Sequence, residues 1–245
     1  MLYFMKRKIL LYTLFIQLFT IAAANAQTNE LSGWAALFHT QRFSKHWGAA
    51  FDGQLRSAHQ GAYLKTVLLR PSIVYHFDKN TNVSAGYTYI GNNGRSGDIK
   101  TFRPESRIFE QLVITQKVGT NTQLSHRFRL EQRFLGETAT QQSVFAQRLR
   151  YFIRGIIPLS KDQTTFTDGS YLALQNEIFA NVQNKDQTNG HIFDQNRAYV
   201  AFGHRFNKMV DLELGYLNQY VKQSKTYSIN NVVQLALYTR FGSAK

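Results

Sequence analysis

Apolar and polar residues alternate with a period of two along most of the chain, which is the spacing of a β-strand with two different faces. In the segment HRFRLEQRF (126–134), three arginines and a glutamate occupy every second position, and Phe128, Leu130, Gln132 and Phe134 lie between them. The pattern therefore predicts an all-β chain. The predicted strands are 33–43, 47–57, 65–77, 81–90, 105–118, 121–134, 143–157, 170–183, 193–206, 209–221 and 229–241.

The predicted strands are long, and short and long connections alternate between them. Many span 11 to 15 residues, whereas strands of water-soluble proteins have about five or six residues. The short connections are at 44–46, 78–80, 119–120 and 207–208, and the longer ones include 91–104, 135–142 and 184–192. Outer-membrane barrels combine short periplasmic turns with longer external loops. A lipocalin-like barrel would alternate in the same way with its faces exchanged, so length and loop order favour the membrane barrel.

The strand count leads to an expectation of about 12 strands. Eleven are predicted directly, but bacterial single-chain barrels have even numbers. A twelfth strand is expected within 158–170 or before Trp34. The predicted fold is therefore a transmembrane antiparallel β-barrel of about 12 strands. One residue departs from its pattern, because Glu110 shares a face with Ile108 and Leu112, and a bulge or a position near the rim would explain it.

The first 26 residues have the pattern of a secretory signal peptide. A basic start is followed by a mostly apolar run over 9–24 and by the Ala24-Asn25-Ala26 cleavage site. The prediction is a cleaved signal peptide over 1–26 and a barrel domain over 27–245, with an uncleaved anchor as the alternative. Cleavage lowers the formal net charge from +14 to +11, because three basic and no acidic residues are removed. The chain has no cysteine, so disulfides cannot stabilise it.

The faces predicted to point inward carry about a dozen arginines and five acidic residues. This excess makes the electrostatic potential of the interior positive. The planar guanidinium group of arginine also forms paired hydrogen bonds with carboxylate and phosphate groups. The alternative is that the acids bridge arginines and fill a narrow barrel. The inward arginines alternate along strands, which disfavours nucleic-acid binding. The candidate lumen residues are Arg127, Arg129, Glu131, Arg133, Arg148, Arg150, Arg154, Glu177, Arg197 and Glu213.

Two further groups of residues have candidate roles. Asn176, Asn181, Asp194 and Asn196 flank the 184–192 loop and are predicted to line the external mouth, or else to hold the loop base by hydrogen bonds. The aromatic residues near predicted strand ends are expected to form interface girdles. They are Trp34, Trp47, Tyr75, Tyr87, Tyr89, Tyr220 and Tyr238.

Catalysis has weak support in the sequence. Ser72 and His76 share a face of one strand, but four residues separate them by about 13 Å, too far for a nucleophile and its base. No nucleotide-binding or metal-binding motif occurs. The chain is therefore expected not to be an enzyme and to need no cofactor or metal.

Several segments resemble one family of outer-membrane barrels across essentially the whole predicted mature chain. They are RPESR (103–107), RLEQR (129–133), RLRY (148–151), NEIFAN (176–181), FDQNR (193–197) and ELGYLNQY (213–220). The family is catalogued as domain of unknown function 2490. The resemblance implies a barrel in the cell outer membrane of a Gram-negative bacterium and implies no activity. Such a barrel has outer-membrane lipid and the barrel-assembly machinery as partners.

The sequence favours a narrow, porin-like channel or a ligand-binding barrel that takes small anionic solutes. The enzyme alternative is an outer-membrane lipid or acyl-ester hydrolase. The third alternative is a structural barrel whose interior is plugged by its own side chains.

Overall fold

The computed structural model describes residues 28–119, 121–138, 142–160 and 165–242, which form a closed barrel of eleven strands. Within these residues, the expectation of about 12 strands is wrong. The predicted signal peptide lies outside the described residues. The strands are β1 (Thr28–Arg42), β2 (Trp47–Ala58), β3 (Tyr63–His76), β4 (Thr81–Ser96), β5 (Ile99–Val118), β6 (Thr122–Leu135), β7 (Val144–Pro158), β8 (Gly169–Gln183), β9 (Phe193–Asn207), β10 (Val210–Lys222) and β11 (Tyr227–Phe241).

The odd number of strands determines how the barrel closes. Successive strands pair antiparallel, so the first and eleventh run in the same direction, and β1 pairs with β11 in parallel from Thr28↔Ser228 to Gln41↔Phe241. The twelfth strand was expected in 158–170 or before Trp34. The first of these segments contains only the ends of β7 and β8 among its described residues, and β1 itself begins at Thr28.

The connections meet at two ends of the barrel. We call one the tight end, with connections 43–46, 77–80, 119–121, 159–168 and 208–209, and the other the loop end, with 59–62, 97–98, 136–143, 184–192 and 223–226. The predicted loop 91–104 is wrong, because β4 continues to Ser96 and β5 starts at Ile99. Gly97 makes the turn with φ 58°, which glycine adopts readily. The loop end therefore also contains a two-residue connection, 97–98, so the predicted sorting of short and long connections to opposite ends is only partly correct.

The strands are strongly staggered around the barrel. Paired positions lead from Arg42 in β1 through Arg129 in β6 and back to β1 at Thr28. The sheet has then shifted by 14 residues, the difference between positions 42 and 28. Closure with such a stagger requires tilted strands. Each inward side chain therefore faces neighbours from several strands.

The two faces of the wall have different compositions. Large apolar side chains point outward and stay exposed, as in the neighbouring positions Phe202, Leu214 and Leu235, which are 57%, 58% and 49% exposed. The inward face combines buried arginines and carboxylates with aromatic residues such as Phe109, Tyr171 and Phe179. Within the described residues, no helix is long and apolar enough to cross a membrane.

Three inward glycines are covered by aromatic rings from a neighbouring strand. Phe109, Tyr171 and Tyr199 lie against Gly86, Gly203 and Gly215, where a Cβ atom would approach the rings to 2.9, 2.3 and 2.6 Å. These distances are shorter than van der Waals contact, so the rings occupy space that only glycine leaves free. The pairs fix ring positions on the inner wall.

Replacing Gly203 with alanine is expected to destabilise the barrel by about 1–3 kcal/mol, as overpacking of a filled interior does. The added methyl would meet the ring of Tyr171, which is fully buried. Gly155→Ala is the matched control, because a Cβ there has no neighbour within 4 Å. Equilibrium unfolding in urea measures both variants, and equal stabilities would contradict this role of Gly203.

Candidate functional site

The inward charges form two groups along the barrel. We call the larger one the loop-side cluster, because Glu105 and Arg133 lie near the loop ends of β5 and β6. It comprises Arg56, Arg70, Arg107, Arg127, Arg129, Arg133, Arg148, Arg150, Arg197, Asp52, Glu105, Glu131, Glu177 and Asp194. The tight-end cluster lies beside the turn between β9 and β10 and comprises Arg154, Arg205, Arg240, Asp211 and Glu213.

Glu131 connects four arginines of the loop-side cluster. Its carboxylate accepts from Arg150 at 2.6 Å and Arg148 at 2.7 Å, and Arg107 and Arg129 lie 3.4 and 3.9 Å away. The side chain of Glu131 is 1% exposed. Charge-assisted hydrogen bonds in such a dry site are stronger than those at a surface, so Glu131 holds three neighbouring strands together from inside.

Two other carboxylates extend the loop-side cluster. Glu177 Oε1 accepts from Arg127 and from Arg150, both at 2.7 Å. Glu105 Oε1 accepts from Arg133 at 2.6 Å and from Arg107 at 2.8 Å. Arg150 and Arg107 therefore each bridge two carboxylates, and the contacts run without a break from β5 to β8.

The remaining acids of the loop-side cluster each pair with one arginine. Asp194 Oδ2 accepts from Arg148 Nη1 at 2.6 Å, and Asp52 pairs with Arg70. Arg70 also donates to Thr88 at 3.1 Å. These contacts extend the cluster to β2 on one side and β9 on the other.

The tight-end cluster fills the barrel near the turn between β9 and β10. Asp211 pairs with Arg205 at 2.8 Å and with Arg240 at 2.7 Å. Glu213 pairs with Arg154 and accepts from the Tyr171 hydroxyl at 2.8 Å. Asp211 and Glu213 are each 1% exposed, so both carboxylates are shielded from water, whereas the Arg240 side chain of the same cluster is 37% exposed.

Two arginines of the loop-side cluster bind amides instead of carboxylates. In the described part of the chain, neither Arg56 nor Arg197 lies within ion-pair distance of an acid. Arg56 donates to Gln54 Oε1 at 3.0 Å, and Arg197 contacts Gln195 Oε1 at 3.4 Å. Both stand near the ring of Trp34, at 4.0 and 5.4 Å from its centroid. Trp34 is 6% exposed and faces inward, so its predicted place in an interface girdle is wrong.

The structure separates the ten candidate lumen residues between the two clusters. Arg127, Arg129, Glu131, Arg133, Arg148, Arg150, Glu177 and Arg197 belong to the loop-side cluster, and Arg154 and Glu213 to the tight-end cluster. The sequence interpretation missed Glu105 and Asp194 as inward acids. Glu105 shares the parity of Arg107 and could have been assigned. Asp194 lies within an irregularity in the pairing of β8 with β9, between the paired residues Phe193 and Gln195, so the alternation along β9 does not assign its face.

The four predicted mouth residues point to different places. Asn181 is 2% exposed and donates to Asn189 Oδ1 at 3.0 Å and to the His191 carbonyl at 3.1 Å. Asp194 pairs inward with Arg148. Asn176 and Asn196 alternate with inward residues and hydrogen-bond each other on the outer wall, at 2.9 and 3.2 Å. Only Asn181 makes contacts that hold the base of the 184–192 loop.

Glu110 lies on the apolar outer face, and neither explanation offered for it is correct. Its pairings with Ala85 and Leu130 continue without an irregularity, and it stands well inside β5. Gln132 donates to its carboxylate at 3.1 Å. An outward cleft of about 600 Å³, lined mainly by apolar residues such as Ile73, Leu112 and Phe128, adjoins it.

Among the described residues, serine, histidine and acidic side chains do not assemble a recognisable catalytic set. Ser170 Oγ lies 3.1 Å from His204 Nδ1 on the exposed side of the tight end, but His204 makes no further hydrogen bond within the described residues. The described residues also contain no group of three or more histidine, cysteine or acidic residues that could hold a metal ion.

The fold and its interior define a class of protein: a closed β-barrel whose inner wall is cross-linked by arginine–carboxylate pairs. The chain belongs to the family described as "Protein of unknown function (DUF2490)", whose model matches residues 31–230. This confirms the family identified from the sequence segments. Searches of the curated proteins and of the solved structures found no match.

Proposed function

We propose that this protein is an outer-membrane barrel that binds small anionic solutes in its interior. The charge balance of the loop-side cluster carries the proposal, since nine arginines face five carboxylates there. Buried charges without counter-charges are strongly disfavoured. An anion bound in the interior supplies the missing negative charge.

The outer wall supports insertion into a membrane. Its apolar side chains are exposed, and aromatic residues such as Trp47, Tyr75 and Phe77 pack against one another near the tight end. An apolar outward band bordered by aromatic residues is the pattern of transmembrane barrels. With the predicted signal peptide, this favours the outer membrane, where lipid and the barrel-assembly machinery are the expected partners.

The filled interior favours binding of a solute inside the barrel over free passage of solutes through it. Barrels of eight strands are filled by their side chains, and barrels of 16–18 strands hold an aqueous channel. The eleven strands of this barrel are nearer the first case. Glu131, Arg129, Arg148 and Arg150 are each at most 4% exposed, so no water column passes through their part of the interior.

Planar-bilayer recording and calorimetry together test the proposal. The purified protein is expected to show no steady porin-like conductance and to bind small anions in detergent solution. A steady anion-selective conductance that falls when Arg127 and Arg129 are replaced by glutamine would instead support the narrow-channel alternative. Absence of both conductance and anion binding would favour the plugged structural barrel, and hydrolysis of lipid esters would favour the hydrolase.

A further inference from the structure

The surplus of positive charge is concentrated in the loop-side cluster. The nine arginines and five carboxylates there leave four positive charges uncompensated, whereas three arginines and two carboxylates in the tight-end cluster leave one. These numbers concern only the residues named above as members of the two clusters. A single monovalent ion balances only a quarter of the loop-side surplus.

Three arginines of this cluster border space that solvent reaches. Arg56 and Arg197 are partly exposed, and the Arg127 side chain is 21% exposed. All three belong to the inward face of the barrel, so this exposure is toward its interior. Arg129, Arg148 and Arg150 beside them are nearly fully buried. A ligand in the interior would therefore meet Arg56, Arg127 and Arg197 first.

Two of these arginines, Arg127 and Arg197, also have a donor without a hydrogen-bond partner. The Nε atoms of Arg127 and Arg197 are buried without a hydrogen-bond partner, although Arg127 pairs with Glu177 through Nη2. Arg197 has only the long contact to Gln195. Unmet guanidinium donors in a buried position have a large desolvation cost, which a ligand oxygen would remove.

The guanidinium groups are held on aromatic rings, which fixes their positions. Arg56 and Arg197 share the Trp34 ring, Arg197 and Arg150 share the Phe179 ring at 4.8 and 4.3 Å, and Arg127 lies 4.2 Å from the Phe152 ring. Cation–π contacts of this kind orient the planar forks. Since these arginines already cover the rings, a ligand is recognised through its oxygen atoms and not by stacking.

From these observations we infer that Arg56, Arg127 and Arg197 form a seat for a polyvalent oxyanion, a small molecule with two or more carboxylate or phosphate groups. Each planar fork matches two oxygens of one such group. The size of the charge surplus selects a ligand of charge −2 or more over a monovalent ion. This inference rests on the proposed function and specifies its ligand class.

Trp34 provides a local reporter for this seat. The chain contains two tryptophans, and the other, Trp47, is 52% exposed at the tight end. A Trp47→Phe protein therefore emits from the ring that Arg56 and Arg197 contact. Titration at constant ionic strength would use pyrophosphate and citrate as polyvalent probes, with acetate and chloride for comparison. Both polyvalent probes are expected to change the emission saturably and to bind at least tenfold more tightly than acetate or chloride.

Variants then locate the seat. Arg197→Gln and Arg56→Gln are each expected to weaken pyrophosphate and citrate binding by tenfold or more, since a hydrogen bond to a charged group is lost. Arg95→Gln is the control, because Arg95 is an exposed arginine at the β4–β5 hairpin. Heat-modifiable gel migration verifies that each variant is folded. A rise in the unfolding temperature of the unmodified protein with either probe is a second readout that needs no variant.

The outcomes distinguish this inference from the proposed function. Equal affinity for polyvalent and monovalent anions overturns the ligand class and leaves anion binding intact. Calorimetric binding that is unaffected by both arginine variants overturns the location of the seat. If no probe binds in calorimetry, both the seat and the proposed function fail. If only pyrophosphate or only citrate binds, the shared polyvalent class is wrong and a single chemistry replaces it.

Discussion

Replacing Glu131 with glutamine is expected to lower the free energy of unfolding by about 3–5 kcal/mol, the cost of leaving a buried ion network without one partner. Glu131 is the shared acceptor of Arg107, Arg148 and Arg150, and water does not reach it. Glutamine preserves the shape of the side chain but removes its charge. Urea unfolding in detergent or lipid vesicles measures the effect.

A matched control is available in a surface ion pair. Glu30 lies 3.5 Å from Lys65, whose side chain is 48% exposed, and Glu30→Gln is expected to cost no more than about 1 kcal/mol. If Glu131→Gln had the same small effect as this control, the carboxylate would not be the hub that its contacts indicate. In the proposed function, a polyvalent anion should also stabilise the Glu131→Gln protein more than the unmodified one, because the positive surplus has increased.

Replacing Leu214 with arginine is expected to destabilise the protein in a bilayer by about 2–4 kcal/mol, the cost of a cation on the lipid face near the midplane of a transmembrane barrel. Leu214 points outward near the middle of β10, between Phe202 and Leu235. Unfolding from lipid vesicles in guanidinium chloride measures this cost.

The control is Met209→Arg, in the turn between β9 and β10. Met209 is 48% exposed and Leu214 is 58% exposed, so both are accessible, but the cost falls to about 0–1 kcal/mol near the interface. A large difference between the two variants supports a lipid-facing wall. Equally small effects would mean that both side chains meet water and would contradict membrane insertion.

The strands could be predicted from the sequence because alternation by two survives over the length of each strand. Arg129, Glu131 and Arg133 lie inward for this reason. The strand prediction was wrong where the composition of a segment or a general rule was preferred to the alternation. Polar and glycine residues in 91–104 indicated a loop, yet the chain there extends the β4–β5 hairpin. The alternation itself predicts eleven strands, which is correct, whereas the even-number rule for barrels predicts twelve, and the parallel pairing of β1 with β11 makes an odd number possible.

The candidate site was predictable in its residue types but not in its pairings. Alternation assigns a side chain to a face, whereas the choice between Glu131 and Glu177 as the partner of Arg150 depends on the stagger between strands. In the structure Arg150 contacts both. Alternation could not predict either that, within the described residues, Arg56 donates to the Gln54 amide and has no acid within ion-pair distance.

The parallel seam between β1 and β11 has a consequence for the two ends of the sheet. Position 28 opens β1 at the loop end, and position 241 closes β11 at the tight end. An even number of strands would bring both positions to the same side. In a membrane, positions 28 and 241 of this barrel would instead face different compartments.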